Sequence, residues 1–543
     1  MTDFDSMGEE ILGLLYGYTA AQSCTGTDRE DSGSKYFLSA MGRLPYFTDH
    51  PEMLIHYPIP EDPLRRAACC AVFRGDSPNT IVMIHHSDVT DVEDYGRFAD
   101  IAFDPDAVTK LLSGGEAVLE PEVRDDLNSG DFLCGHGVCD MKGGAAIQMA
   151  MMAKLSAREH FPGTLIVLAV PDEENLSAGM RAAVTLLREL KDKLGLHYQL
   201  MINSEPHQRK YPEKGVISIG SIGKLLPFVY AKGRMSHAGK AAEGINPLAL
   251  ISRVVAETEG LPFADDGAPA PTWLMLRDDK EHYDVSMPRS AFGCMSVLML
   301  RTSPEAVLDK LRGVCLQAFS DCLQARSDAG LGRPWEPLVY SWTELCTEAE
   351  RVGGERWKAA FSSLLAELQG KVRRGEAGFA EACRSLLELS CRELPDVPLL
   401  VYGFMPPYYP AVTNSNFGCL PDTIRMLPEM LGAYAEEHFH QEYDTEEFYT
   451  GISDLSYGSF SAQPSEEAPA FIREMPMYGS GYELSFEDLR EVAMPCINIG
   501  PWGKDFHKLT ERVCISDLTK RTPELLYRAI ELVLGDLTED TNE

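Results

Sequence analysis

Five side chains able to hold a divalent metal, and one carboxylate able to move a proton, follow one another at the ends of apolar segments in this 543-residue chain. The β-branched, apolar run 80–84 leads into His85 and His86, and His86 lies two residues before Asp88. At a strand end that spacing sends both side chains off one face. A carboxylate so placed fixes the tautomer of a metal-binding imidazole through its other ring nitrogen. His85 is the alternative, and the relation to Asp88 favours His86. Asp140 sits in Gly135-His136-Gly137-Val138-Cys139-Asp140-Met141-Lys142-Gly143-Gly144, ahead of the apolar run 145–153. The glycines allow a sharp turn and a close approach to a ligand, so this is a tight loop feeding a helix and a natural place for a metal-binding carboxylate. Glu173 and Glu174 follow the apolar run 164–170, Glu205 follows 200–202, and His507 follows 496–499. Two histidines and three carboxylates exceed the needs of one catalytic zinc. They suit two metals about 3.5–4 Å apart, bridged by a carboxylate and a water, a pair that lowers the pKa of the water and polarises a carbonyl. Glu173, next to a ligand and not needed as one, is placed to act as general base.

The elements that position these residues alternate. Strand-like stretches at 69–75, 79–86, 164–170, 200–202 and 496–499 are interleaved with helical ones at 7–22, 143–157 and 175–194. This order predicts an α/β fold with a mostly parallel sheet flanked by helices. Ligands of such sheets lie outside the carboxyl ends of the strands, where the polar clusters fall. Between Glu205 and His507 the chain makes a long excursion. Strand-like stretches at 216–232, 272–277, 291–300 and 337–342, with helices opening at Asn246-Pro247 and Ser303-Pro304, predict an inserted α+β domain over 216–347. Asn as N-cap and Pro at the first helical position are the usual start signals. Residues 349–393 read as helical, with Trp357, Phe361, Leu364, Leu365 and Leu368 on one face, and 398–402 reads as a strand returning to the main sheet. The expected division is 1–215, 216–347 and 348–543, with disorder only over 538–543.

Composition narrows the function classes. The formal net charge of −34 argues against a nucleic-acid partner, which is bound chiefly through Lys and Arg. The 14 cysteines are scattered without a CxxC pair, as expected of buried thiols. Cys134 and Cys139 flank His136, but no second Cys/His pair completes a tetrahedral zinc set. His438 and His440 also have ligand-like spacing, yet they follow a Glu-rich helix and no buried strand. Residues 1–5 show no basic or apolar leader region and no apolar run reaches 18 residues, so a cytoplasmic protein without membrane contact is expected.

In this order, HxD, GxGxxDxKGG, DEE, EP, a Gly-Arg-x-x-His-Ala-Gly turn, GxNP and a late His with Glu511 four residues on resemble the M20 family of zinc peptidases and deacylases. The resemblance covers the whole chain and implies a catalytic domain with the inserted domain as lid. It implies that Asp140 bridges two divalent metals, zinc first and manganese or cobalt otherwise. His86 and Glu205 would hold one ion, Glu174 and His507 the other. Glu173 would be the base that later protonates the leaving amine, and Asp88 would orient His86. His237 of the lid would stabilise the oxyanion, reaching across a homodimer in dimeric relatives, while Arg301 and Asn246 are the expected substrate-binding positions. The acidic residue that usually precedes the Arg is replaced by Met299. Thr25-Gly26-Thr27, the run 406–410 and the run 451–457 are similar to the arginine-utilisation M20 proteins of bacteria. The implied activity is hydrolysis of an amide in a small amino-acid derivative or short peptide. A non-catalytic relative binding an amino-acid-like ligand in the cleft is the alternative.

Overall fold

The computed structural model describes residues 3–115, 117–331, 335–460 and 469–537. The tail expected to be disordered, 538–543, lies outside the described residues. The chain forms two compact units: Met1–Ser221 with Val412–Pro464 and Leu484–Glu543, and Ile222–Ala411 with Ser465–Glu483.

The first unit is built on an eight-stranded sheet. Its order is Leu54–Pro58, Ala67–Arg74, Thr164–Val170, Asn79–His86, His197–Asn203, Cys496–Asn498, Lys214–Ser218 and Glu442–Glu446. The central strands run parallel, and the second strand enters antiparallel beside Thr164–Val170. Every residue of Thr164–Val170 is buried, as a parallel strand covered on both faces must be. The helix Lys142–Ser156 is also buried almost all round, which explains its run of Ala, Met and Gly. A helix without a polar face belongs inside the fold. Ile147, Met149, Met151, Met152 and Leu155 have no exposed surface. Each contributes about 1.5–3 kcal/mol relative to an exposed side chain. This helix shares one core with Asp3–Thr19 and Thr522–Leu534. All 14 cysteines are free thiols.

The second unit has a five-stranded sheet in the order Thr272–Asp278, Ser290–Met299, Gly223–Lys232, Leu399–Tyr409 and Val339–Ser341. Its core includes Phe228, Trp342, Leu345, Trp357, Leu386 and Met477, with Phe361, Leu364 and Leu365 packed against it. The helix from Pro247 starts with Asn246 as N-cap and Pro304–Asp328 with Ser303, each accepting a backbone N–H.

Two expectations are corrected here. The strand expected at 398–402 does not return to the main sheet: Leu399–Tyr409 pairs antiparallel with Gly223–Lys232 in the second unit. All 11 of its residues are buried, so no alternation marks which sheet it joins, and a non-local pairing decides it. The helices Trp342–Arg373 and Phe379–Cys391 go with it, so the inserted segment runs to Ala411 and not to 347. It also begins later than residue 216, because Lys214–Ser218 pairs in the large sheet.

Candidate metal centre

The parallel strands deliver their polar ends to one edge of the large sheet. His86 is the last residue of Asn79–His86, Asp172 follows Thr164–Val170, and Glu205 lies just beyond Asn203. The loop before helix Lys142–Ser156 brings Asp140 to the same place. At Gly144 a Cβ would lie 2.0 Å from the Ser204 main-chain oxygen, so only glycine lets this helix start against the Glu205 strand end. Gly137 has φ +73°, the left-handed region that glycine enters without strain. The peptide bond between Asp140 and Met141 is cis.

Asp140 is the hinge of the site. Its Oδ1 lies 3.2 Å from Nε2 of His86 and its Oδ2 lies 3.1 Å from Nε2 of His507. Glu205 Oε1 is 3.7 Å from the His86 nitrogen, and Glu174 Oε1 is 3.0 Å from the His507 nitrogen. Two triads able to hold a metal ion therefore share Asp140: His86, Asp140, Glu205 and Asp140, Glu174, His507. Glu173 forms a third group with His86 and Glu174. One triad is enclosed, with the His86 side chain 1% exposed. The other opens outward, with His507 at 44%. Two N/O triads joined through one carboxylate fit a pair of divalent ions.

Asp88 supports this arrangement. Its oxygens accept the backbone N–H groups of Glu173 and Glu174 at 3.2 and 3.3 Å, and Oδ1 stands 3.7 Å from His86 Nδ1. That nitrogen lies 3.0 Å from the Asp88 main-chain oxygen, leaving Nε2 to face the carboxylates. His85 points away: its ring contacts Gln148 and Tyr18, and burial lowers it to about 4, so it stays neutral. His438 and His440 are exposed, and His136 bonds the Thr90 carbonyl. His237, Arg301 and Asn246 belong to the second unit. His237 is exposed, with Nδ1 accepting the Gly239 N–H. Arg301 is exposed and its N–H donates to Asp265, while Asn246 uses its side-chain oxygen to cap the helix.

Burial alone would raise Asp140, but hydrogen bonds from His507 and His86 hold it well below the usual carboxylate range. Hydrogen bonds to Asp140 and Glu174 push His507 up to about 11. Burial would lower His86, yet Glu205 and Asp140 carry it well above its ordinary value. Glu173 and Glu205 are pushed well up, chiefly by burial. These pairings favour the protonated form of both imidazoles, whereas a metal requires them neutral. Metal binding must displace those protons, so affinity rises with pH, by about one decade per unit for each proton released. Zinc competition titrations at pH 6, 7 and 8 check this; a flat profile contradicts it.

Two residues without an assigned role emerge. Glu511, 1% exposed, accepts the backbone N–H groups of Gly137, Cys139 and Asp140 at 3.0–3.2 Å and so shapes the metal-binding loop. Its place four residues after His507 was the only signal. Burial and the Asp140 charge push it up to about 8, while the three amides favour its charged form. Glu511→Gln turns an amide group towards one of those donors and should lower stability by about 1–3 kcal/mol, read from urea unfolding. Asp454, in the Gly451-Ile452-Ser453-Asp454 run, is 3% exposed and lies in the field of His86, Glu173 and Glu205. Its signal in the sequence was the resemblance of the run 451–457 to the arginine-utilisation M20 proteins, not any placement at a strand end.

The profile of Peptidase family M20/M25/M40 matches residues 103–530. The chain belongs to the M20 family. Over 541 residues it is 31% identical to the uncharacterized protein YqjN of Bacillus subtilis, covering 97% of this chain and 96% of that one. It is 26% identical over 526 residues to protein RocB of the same organism, covering 93% and 91%. Among solved structures, the M20 family metallo-carboxypeptidase Sso-CP2 of Sulfolobus solfataricus shares the fold. Its TM-score is 0.53 at 10% identity, with 97% of this chain and 99% of that chain covered. This M20 chain is a hydrolase of the metallopeptidase and amidohydrolase kind. Among its described residues no helix is long and apolar enough to cross a membrane.

Proposed function

We propose that this chain cleaves the amide bond of a small amino-acid derivative or short peptide, using two divalent metals with zinc the first choice, and that the derivative carries arginine. The observation that carries the reading is the division of Asp140, one oxygen toward His86 and the other toward His507. His86 and Glu205 would hold one ion, Glu174 and His507 the other, with Asp140 between. When bound, the metals supply Lewis acidity, polarising the scissile carbonyl and making water acidic enough to attack at neutral pH.

The remaining chemistry belongs to side chains. Glu173 takes the proton of the attacking water and returns it to the leaving nitrogen, a role its place beside Glu174 and His86 supports. Asp88 holds the Glu173 and Glu174 amides and so sets where both carboxylates point. His237 would stabilise the developing oxyanion, and Arg301 and Asn246 would contact substrate. The link to arginine comes from the resemblance to the arginine-utilisation proteins, and a cytoplasmic location is supported by the scattered free thiols. A non-catalytic role is disfavoured, because the base and all five ligand positions are intact.

The test is turnover of N-acyl-arginines and dipeptides by protein loaded with zinc, manganese or cobalt, beside chelated protein. Metal-dependent release of arginine establishes the reading; no turnover of any substrate with any metal sinks it.

A homodimer through the second unit is supported by its edge strand Thr272–Asp278. There Leu274 and Leu276 are 56% and 41% exposed. Unpaired apolar edge strands invite pairing with another chain. Leu274→Lys should shift a dimer to monomer in sedimentation velocity, and an unchanged mass argues against this interface.

A further inference from the structure

We propose that Arg66 and Glu30 are positioning residues for the Glu173–Glu174 loop, acting through a closed ring of polar contacts that joins it to the Thr25–Thr27 turn. The consequence for catalysis rests on the hydrolase reading above; the ring itself does not.

The ring can be followed contact by contact. The Arg66 guanidinium donates to both Glu30 oxygens at 2.9 and 3.0 Å and to Asp172 Oδ1 at 2.5 Å. Glu30 Oε2 accepts the Gly26 N–H at 2.6 Å. The neighbouring Thr25 hydroxyl donates to Asp88 Oδ2 at 2.8 Å. Asp88 in turn accepts the Glu173 and Glu174 amides, and Asp172 precedes them in the chain, which closes the circuit. Glu30, Asp88 and Asp172 are at most 1% exposed and Arg66 is 7%.

The topology explains why an arginine stands here. Ala67–Arg74 runs antiparallel to Thr164–Val170, so it enters the sheet at the edge where that strand ends. Arg66, the residue before it, therefore meets Asp172. Asp172 has φ +72°, a left-handed conformation that a residue with a side chain adopts at a cost. Its main-chain oxygen gathers the N–H groups of Asn175, Leu176 and Ser177, folding the loop tightly behind Glu173 and Glu174. Such a conformation persists only where surrounding contacts over-determine it. Asp62 also binds Arg66, through Nε and the second amino group, and fixes the fork that faces Glu30 and Asp172. A lysine would keep the charge but not the fork.

The test is amide hydrogen exchange on the metal-loaded full chain, together with kcat and KM on a substrate it turns over. Wild type is compared with Arg66→Lys, Arg66→Met and Thr25→Val, and helix Lys142–Ser156 serves as internal reference. The expected result is exchange at 172–178 faster by about tenfold or more in every variant, with the reference helix unchanged. With it, kcat falls by about 10–100-fold and KM moves by no more than about twofold, since small misplacements of reacting groups are costly. Wild-type protection at 172–178 in Arg66→Lys and Thr25→Val overturns the proposal. So does a loss of protection that spreads equally to the reference helix, which marks a plain stability role. If Arg66→Met does not fold, the other two variants decide. If wild type turns over no substrate, the hydrolase reading fails while the exchange data still decide the ring.

Discussion

Glu173→Gln should lower kcat by about 10²–10⁴-fold while the protein keeps its full complement of metal. The magnitude is that of a lost general acid–base group. The change is isosteric, and Glu173 is in neither of the triads that share Asp140, so the metal-binding geometry is preserved. A buried carboxyl raised chiefly by desolvation is also expensive to keep charged, so its neutral amide should hold or slightly increase thermal stability. Metal analysis, a melting curve and kcat on one preparation give the answer together. Loss of metal in this variant would mean that Glu173 is itself a ligand. Retained activity would place the base elsewhere.

Asp140→Ala should empty both metal positions at once, because each triad contains Asp140. About two metals per chain in the wild type should fall below one, with activity lost. The thermodynamic signature is separate from activity. A ligand at a thousand times its Kd stabilises the folded state by about 4 kcal/mol. Zinc should therefore raise the melting temperature of the wild type by several degrees and leave Asp140→Ala almost unmoved. A variant that still gains stability from zinc would show that each triad binds without the shared carboxylate. Because His507 is 44% exposed and His86 1%, the open position should release its ion first during chelation.

The strand ends of the large sheet were legible because each joins an unbroken apolar run to a charged residue, a juxtaposition that core packing alone does not produce. Lys142–Ser156 was legible within a residue of its ends for a related reason, since a glycine pair opens it. The membership of Leu399–Tyr409 was not legible, because a strand buried along its whole length reads alike in either sheet. The contacts behind the site were equally hidden. Arg66 and Asp172 are 106 positions apart, and nothing in the residues around either one announces the other. Glu511 sat in view as part of a motif, but its work is done through backbone amides, which carry no sequence signature.

The strand Cys496–Asn498 takes its place between His197–Asn203 and Lys214–Ser218. This fixes the order in which a newly made chain can mature. At about 5–20 residues per second, roughly 15–60 s of synthesis separate Glu205 from His507. Throughout that interval the nascent sheet lacks the sixth of its eight strands and shows two unpaired edges, the kind of surface that folding helpers shield. A metal position that needs His507 would therefore load long after the rest of its candidate ligands have been made. Nascent chains truncated before Cys496 should aggregate or stay chaperone-bound, even though they already carry four of the five candidate ligands, all but His507.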